Sequence, residues 1–160
     1  NMNGADDHTV VVPREANKNY TGLSFSSGGS AVTIEPDKDK WDILLGQYTT
    51  MLFSDGAPYP YIVTGGTLNP NKVTALELTN TVFATVNSQN FGNYTLSNKH
   101  DAIGYLWKIY SINAGKYTMI DNLTYLVKGV DGSKYKFRFI DFYDQNGNKG
   151  YPTFEFMKIF

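Results

Sequence analysis

The chain has 160 residues, carries 14 Lys and Arg against 15 Asp and Glu, contains no cysteine and is 15% aromatic. The balanced, dispersed charge argues against a nucleic-acid-binding surface, and no apolar run approaches the roughly 18 residues of a membrane helix. The absence of cysteine excludes disulfides, thiol catalysis and cysteine-ligated zinc. A chain of this length can bury a core without covalent cross-links.

Short runs rich in β-branched and aromatic residues, separated by turn residues, predict an all-β, antiparallel fold with little or no helix. Residues 1–8 are polar and predict a flexible N-terminal tail, and residues 9–160 predict one domain. The predicted strands are Thr9–Val12, Tyr20–Phe25, Ala31–Ile34, Trp41–Phe53, Tyr59–Thr64, Thr81–Val86, Ile103–Ser111, Lys116–Ile120, Leu123–Val130, Tyr135–Phe142 and Thr153–Phe160. Val73–Leu78 is compatible with one helical turn, and the polar segment 87–101 with either a surface loop or a functional hairpin.

The last third of the chain gives the clearest pattern. Residues 135–139 alternate aromatic and basic side chains, which indicates a strand with one buried and one solvated face. Asp131-Gly132 and Asn146-Gly147 are sequences that favour tight hairpin turns. The domain is therefore predicted to end in a β-meander.

Motifs of catalysis are missing from the sequence. Of the two histidines, His8 lies in the predicted tail and His100 in a polar loop, and neither accompanies a nucleophile elbow, HExxH, P-loop or GxGxxG motif. Asp141 and Asp144 flank a turn, where carboxylates commonly cap the backbone. Residues 144–148 resemble part of a calcium loop but lack its spaced acidic ligands. We therefore expect a binding protein and not an enzyme.

A series of short motifs follows in order along nearly the whole chain. They are Thr9-Val-Val-Val, Tyr20, Leu23-Ser24-Phe25, Gly28-Gly29, Val32, Trp41-Asp42, Gly65-Gly66, Gly104-Tyr-Leu-Trp107-Lys-Ile-Tyr110, Tyr117, Tyr125–Gly132, Lys136–Phe139, Asp141–Tyr143, Lys149-Gly150 and Thr153–Phe156. In this order the chain resembles the HmuY-like haemophore family, lipoproteins of Bacteroidetes. The resemblance implies an all-β fold, a lipid anchor upstream of Asn1 and an outer-membrane, surface-exposed or extracellular location. It also implies haem capture for iron acquisition, with delivery to a TonB-dependent outer-membrane receptor.

The resemblance further implies two axial ligands to haem iron, His or Met, one on a hairpin before the Trp-bearing strand and one just after Trp107–Ser111. Ile112 occupies the second place here, and isoleucine cannot ligate iron. The shortened segment before the strand offers His100. We therefore expect His100 as one haem ligand, with Met119 or Tyr110 as its partner, because His, Met and Tyr all serve as axial ligands. No metal site other than haem iron is predicted.

A second interpretation keeps the same fold without haem. Tyr59 and Tyr61, flanked by Pro58 and Pro60, would form a stiff amphipathic surface suited to a glycan or a protein partner. The same prolines are also typical of a protected edge strand.

Overall fold

A computed structural model describes residues 9–26 and 28–160. The chain divides into two compact units, Asn1–Trp41 and Asp42–Phe160. The predicted tail, residues 1–8, lies outside the described residues, and a single domain over residues 9–160 stays a prediction. The regular secondary structure of the described part is almost wholly antiparallel strand, which confirms the predicted all-β class.

The first unit contains one small hairpin. In it β1 (Gly22–Ser24) pairs antiparallel with β2 (Ser30–Val32). Lys18 Nζ lies 2.7 Å from a carboxylate oxygen of Asp37, and this hydrogen bond holds the pKa of Asp37 below its ordinary value. The strand predicted for Thr9–Val12 was wrong: the segment is outside the named strands, because β-branched residues alone do not supply the partner that a strand requires.

A long hairpin opens the second unit. In it β3 (Ile43–Ser54) and β4 (Ala57–Leu68) pair residue for residue. Asp55 and Gly56 both have positive φ, 51° and 79°, as a two-residue type I′ turn requires. Asp-Gly is a strong hairpin signal, so the sequence contained this turn although our prediction placed no hairpin there. Pro58 and Pro60 lie in this two-stranded ribbon, which agrees with the edge-strand interpretation.

A four-stranded antiparallel sheet forms the rest of the framework. Its order is β10 (Lys149–Ile159), β9 (Lys134–Tyr143), β8 (Thr124–Lys128) and β5 (Thr74–Leu78). Strands β8, β9 and β10 follow one another in the chain and in the sheet, so the predicted C-terminal meander is confirmed. Gly132 and Gly147 have positive φ in the two connecting turns, as predicted.

Val73–Leu78, whose sequence is compatible with one helical turn, contains strand β5 instead. Its residues pair with β8, and Ala75 stands opposite Val127. Ala75 is fully buried in the main core, whereas Leu76 packs against a second cluster on the other face. Pairing with β8 and burial on both faces therefore outweigh the helix propensity of Ala, Leu and Glu.

Two further strand predictions were wrong: the one for Thr81–Val86 entirely, and the one for Ile103–Ser111 in part. Residues 81–86 contain a 3₁₀ turn at Phe83–Thr85, and in the predicted strand Ile103–Ser111 only β6 (Lys108–Ser111) is a strand. Gly104 adopts φ +68° and interrupts the extended run. β6 pairs antiparallel with β7 (Lys116–Met119) in a short second hairpin. The polar segment 87–101 includes one helical turn, α1 (Ser88–Phe91).

Aromatic rings dominate the main core between these elements. Trp107 is 1% exposed, and its ring stacks on Phe139 with centroids 3.9 Å apart and planes inclined by 12°. Phe142 meets the same indole edge-on at 5.5 Å. Tyr125 stacks on Phe137 at 4.9 Å. The core thus fixes Trp107, the residue that leads directly into β6.

Lys136 lies on the face of segment 135–139 that is predicted to be solvated, but that prediction is wrong for this residue: it is buried and joins the sheet to the 3₁₀ turn. Lys136 is 4% exposed, and its Nζ donates to the carbonyl oxygens of Phe83 at 2.8 Å and Val86 at 2.7 Å. We expect Lys136→Met to lower the free energy of unfolding by about 1–3 kcal/mol, because it removes the donor to these carbonyls. Urea denaturation measures the loss. Lys128→Met, on an exposed position of β8, is the control; equal losses in both variants would contradict this role.

Candidate functional site

An open groove with a volume of about 480 Å³ lies between the β3–β4 hairpin and the β6–β7 hairpin, and we call it the hairpin groove. This volume is within the range of small-molecule sites, ~300–1,000 Å³. The aromatic and basic residues that line it are Tyr61, Tyr105, Tyr110, Tyr117, Phe142, Lys108 and Lys149. The groove therefore combines aromatic surface with two amines.

The register of the short hairpin places several of these side chains on one surface. Tyr110 stands opposite Tyr117, and Lys108 stands opposite Met119. Because side chains alternate along a strand, all four project from the same face of the hairpin. The rings of Tyr110 and Tyr117 meet at 62° with centroids 5.0 Å apart, and Tyr117 meets Phe142 edge-on at 5.3 Å.

Lys108 is held at the inner end of the groove. Its Nζ lies 3.9 Å from the centre of the Trp107 ring and 4.8 Å from that of Phe142. The same nitrogen donates to the carbonyl oxygen of Thr64 at 2.6 Å. Burial lowers the pKa of Lys108 to about 8, because a desolvated ammonium is disfavoured. The groove thus contains a partly desolvated cation.

Two glycines bring the chain that precedes Trp107 against β4. Gly66 and Gly104 exchange both backbone hydrogen bonds, at 2.9 and 3.0 Å. A Cβ on Gly65 would lie 2.3 Å from the carbonyl oxygen of Gly104 and 3.0 Å from the Cα of Tyr105. Only glycine permits this approach, and the approach positions Tyr105 beside the groove. The Gly65-Gly66 motif of the sequence therefore has a steric cause.

Two of the three predicted ligands lie on the groove hairpin. Tyr110 is 51% exposed and lines the groove. Met119 projects from the same face, but it is partly buried and packs against the main core. Ile112, which stands at the family's expected ligand position, lies beyond the end of β6 and is 86% exposed.

His100 lies beside the end of β4 and not on the groove hairpin. It is exposed, and its carbonyl oxygen accepts the N–H of Leu68 at 2.8 Å. Leu68 is four residues from Thr64, the β4 residue that Lys108 touches, which corresponds to about 13 Å of strand. The structure thus brings Tyr110 and Met119 to one surface and leaves His100 near the end of β4. The assignment of these three residues as iron ligands stays a prediction.

Sequence reasoning missed the residues that accompany Tyr110. Lys108 lies two residues before Tyr110 on the same strand, so the alternation of a β-strand already places both on one face. A loop over residues 112–115 pairs Tyr117 with Tyr110, and a two-residue turn at Ala114-Gly115 would have given a different register. Tyr61 carried no such signal, because its place in the groove depends on how the long hairpin meets the short one.

One protein-family model matches most of the chain. The family model described as "HmuY protein" matches residues 16–156. The chain belongs to the HmuY family. No curated protein sequence matches it.

Two solved structures resemble this HmuY-family chain. One, a protein of Bacteroides fragilis provisionally described as a lipoprotein, is 18% identical; the match covers 76% of this chain and 69% of that one, with a TM-score of 0.38. The other, from Bacteroides vulgatus and provisionally described as an HmuY-like heme binding protein, is 18% identical, with 85% and 82% covered and a TM-score of 0.33.

A second cleft of this HmuY-family chain is apolar. It has a volume of about 280 Å³ and lies over the core face of the sheet, between Leu45 and the rings of Phe137, Phe154 and Phe156. Its one carboxylate belongs to Asp42, whose Oδ1 accepts the N–H of Val130 at 2.8 Å. This cleft lacks the cations of the hairpin groove.

Three further features concern metal binding, the turn at Asp144 and the helices. In the described part of the chain, no three His, Asp or Glu side chains are grouped so as to hold a metal ion. Asp144 accepts hydrogen bonds from Asn148 and Asn146, which hold its pKa below the ordinary value, so its carboxylate serves the turn. None of the helices in residues 9–26 and 28–160 is long and apolar enough to cross a membrane.

Proposed function

We propose that this HmuY-family chain binds haem in the hairpin groove. The observation that carries the proposal is the lining of the groove: four tyrosines and Phe142 with two lysines, and no carboxylate. Haem is a flat aromatic ring system with two carboxylates. Aromatic walls offer stacking and edge contacts to such a ring, and amines offer partners to its carboxylates.

The residues present fit haem as a ligand. A tyrosine oxygen is a group that can ligate haem iron, and the half-exposed Tyr110 lines the groove. Tyr110 would hold the iron that haem supplies when bound. We propose Tyr110 as the first ligand to test. Met119 shares its face of the hairpin, and His100 would have to approach from the end of β4.

The proposed role is capture and not catalysis, since HmuY proteins form a family of binding proteins. We further propose that the chain acts in iron acquisition at the cell surface or outside the cell. A lipid anchor upstream of Asn1 would hold it at the outer membrane, and a TonB-dependent receptor would receive the haem. These finer proposals are supported by family membership alone.

Titration of the protein with haemin, oxidised and reduced, tests the proposal. We expect a saturable 1:1 shift of the Soret band. Tyr110→Phe keeps the ring and removes the oxygen, so it is expected to alter the Soret position and to weaken binding about tenfold, the effect of losing one strong polar contact.

Tyr59→Phe is the matched control for Tyr110→Phe, because Tyr59 is 39% exposed on β4 but is not among the groove's lining residues. His100→Ala and Met119→Leu, measured in the same titration, assign the second ligand. A spectrum that stays that of free haemin would contradict haem binding. That result would favour a partner or glycan site at Tyr59 and Tyr61, whose rings meet edge-on at 6.3 Å.

A further inference from the structure

Two nitrogen donors at the inner end of the hairpin groove lack an acidic partner. Trp107 is 1% exposed, and its indole Nε1 has no hydrogen-bond acceptor within residues 9–26 and 28–160. Lys108 Nζ lies 3.9 Å from the centre of the same ring, and its acceptor is the neutral carbonyl of Thr64. Because buried donors are nearly always paired, an unpaired N–H beside a cation leaves a place for an acceptor from outside the protein, either water or a ligand.

A small cavity of about 100 Å³ meets the groove at this point. Trp107 lines it together with Thr64, Leu45 and Pro152 and with Gly46, Gly65 and Gly150, which have no side chains to fill it. Lys108 lines the adjoining groove and not this cavity. Thr64 and Gly150 also line the hairpin groove, so the two spaces adjoin. The cavity exceeds the ~30 Å³ that a water molecule occupies in the liquid, and a carboxylate group needs little more.

The charge around Lys108 favours an anion. The other titratable groups that line the groove are Tyr61, Tyr105, Tyr110, Tyr117 and Lys149. None of them is a carboxylate, so the Lys108 ammonium is not neutralised by a neighbour in the groove. A carboxylate accepts hydrogen bonds from an ammonium and from a neutral N–H at once, and the charge-assisted bond is the stronger of the two.

We infer that Lys108 Nζ and Trp107 Nε1 form a carboxylate-binding subsite at the inner end of the hairpin groove. The ligand class is an aromatic carboxylic acid, whose carboxylate lies where the small cavity joins the groove while its ring lies among the groove tyrosines. The inference rests on the proposed function and deepens it, because it assigns recognition to the acid group of the ligand independently of any iron.

Iron-free protoporphyrin IX and its dimethyl ester are the probes, because they share one ring system and differ in charge. Binding of each to the full chain is followed by quenching of protein fluorescence. The acid is expected to bind at least about tenfold more tightly than the ester, the effect of one charge-assisted hydrogen bond. Equal affinities for acid and ester would overturn the subsite.

Substitution of Lys108 tests whether this side chain causes the preference for the acid over the ester. Lys108→Met is expected to bring the affinities for acid and ester together, and Lys108→Arg is expected to keep them apart. Lys116→Met removes a cation from an exposed position of β7 that does not line the groove, so it controls for general loss of charge. Circular dichroism first establishes that each variant folds. An unchanged ratio of affinities in folded Lys108→Met would overturn the subsite.

The pH dependence of binding distinguishes a lysine that contacts the ligand from one with a structural role only. Burial lowers the pKa of Lys108 to about 8 in the free protein, so the ammonium that the carboxylate needs is lost as the pH rises through 8. The dissociation constant of the acid should therefore rise about tenfold between pH 7 and pH 9, and that of the ester should stay flat. Lys108→Met should flatten the profile of the acid; a wild-type slope in this variant would overturn the assignment.

Haemin titrated in parallel separates this inference from the proposed function. A Soret shift without preference for the acid over the ester overturns the subsite and leaves haem binding standing. A preference for the acid that depends on Lys108, without a haemin shift, overturns iron capture and supports the subsite. Failure of haemin and of both porphyrins to bind overturns both.

Discussion

Gly65→Ala is expected to lower the free energy of unfolding by about 3 kcal/mol and to weaken haemin binding in the molecules that remain folded. The added methyl would lie 2.3 Å from the Gly104 carbonyl oxygen and 2.8 Å from its carbon, and both are backbone atoms. Backbone cannot turn away as a flexible side chain can, so the two segments must separate. Tyr105 and Lys108, which follow Gly104, would move away from β4.

Gly46→Ala is the matched control, because Gly46 stands directly opposite Gly65 in the β3–β4 ladder and a Cβ there meets nothing within 4 Å. It also tests whether an extra methyl in this hairpin is harmful in itself. Chemical denaturation of both variants measures the difference. Equal stabilities would contradict the role we give to the close approach at Gly65.

Trp107→Ala is expected to lower the free energy of unfolding by about 3–5 kcal/mol, the range for removing a large aromatic ring from a core. The indole lies between Phe139, on which it stacks at 3.9 Å, and the ammonium of Lys108. Its loss would therefore remove a core contact and the surface on which Lys108 rests. We expect haemin binding to weaken together with stability.

Leu106→Ala provides the comparison for the tryptophan, since the neighbouring Leu106 is 62% exposed. A change there is expected to stay within about 0.5 kcal/mol, as is usual for surface positions. Thermal unfolding followed by circular dichroism compares the two variants. A Trp107→Ala protein as stable as Leu106→Ala would contradict the central place of the indole in the core.

Local sequence predicted those parts of the fold that local physics decides. The alternation in residues 135–139 and the turns at Asp131-Gly132 and Asn146-Gly147 gave the meander, because a period of two and positive φ are properties of short segments. The interpretation of Val73–Leu78 as a helical turn failed for the opposite reason. Its residues favour a helix, and only pairing with β8, some fifty positions later, makes it a strand.

The candidate site was predictable in part. Tyr110 was a candidate ligand in the sequence analysis. Strand alternation would also have placed Lys108 on the same face as Tyr110. The contact of Lys108 with Thr64 joins residues 44 positions apart and has no local signal. The unpaired Nε1 of Trp107 likewise depends on the packing of β4 and β10 around it, which no sequence window contains.

The measurement that tests the central claim most directly is nuclear magnetic resonance of the ¹⁵N-labelled chain titrated with gallium protoporphyrin IX, a diamagnetic analogue of haem. Binding in the hairpin groove predicts shifts concentrated at residues 61–64, 105–110 and 117, with those at 137, 154 and 156 in the apolar cleft little changed. Shifts concentrated in the apolar cleft, or none in either place, would contradict the hairpin groove as the haem site.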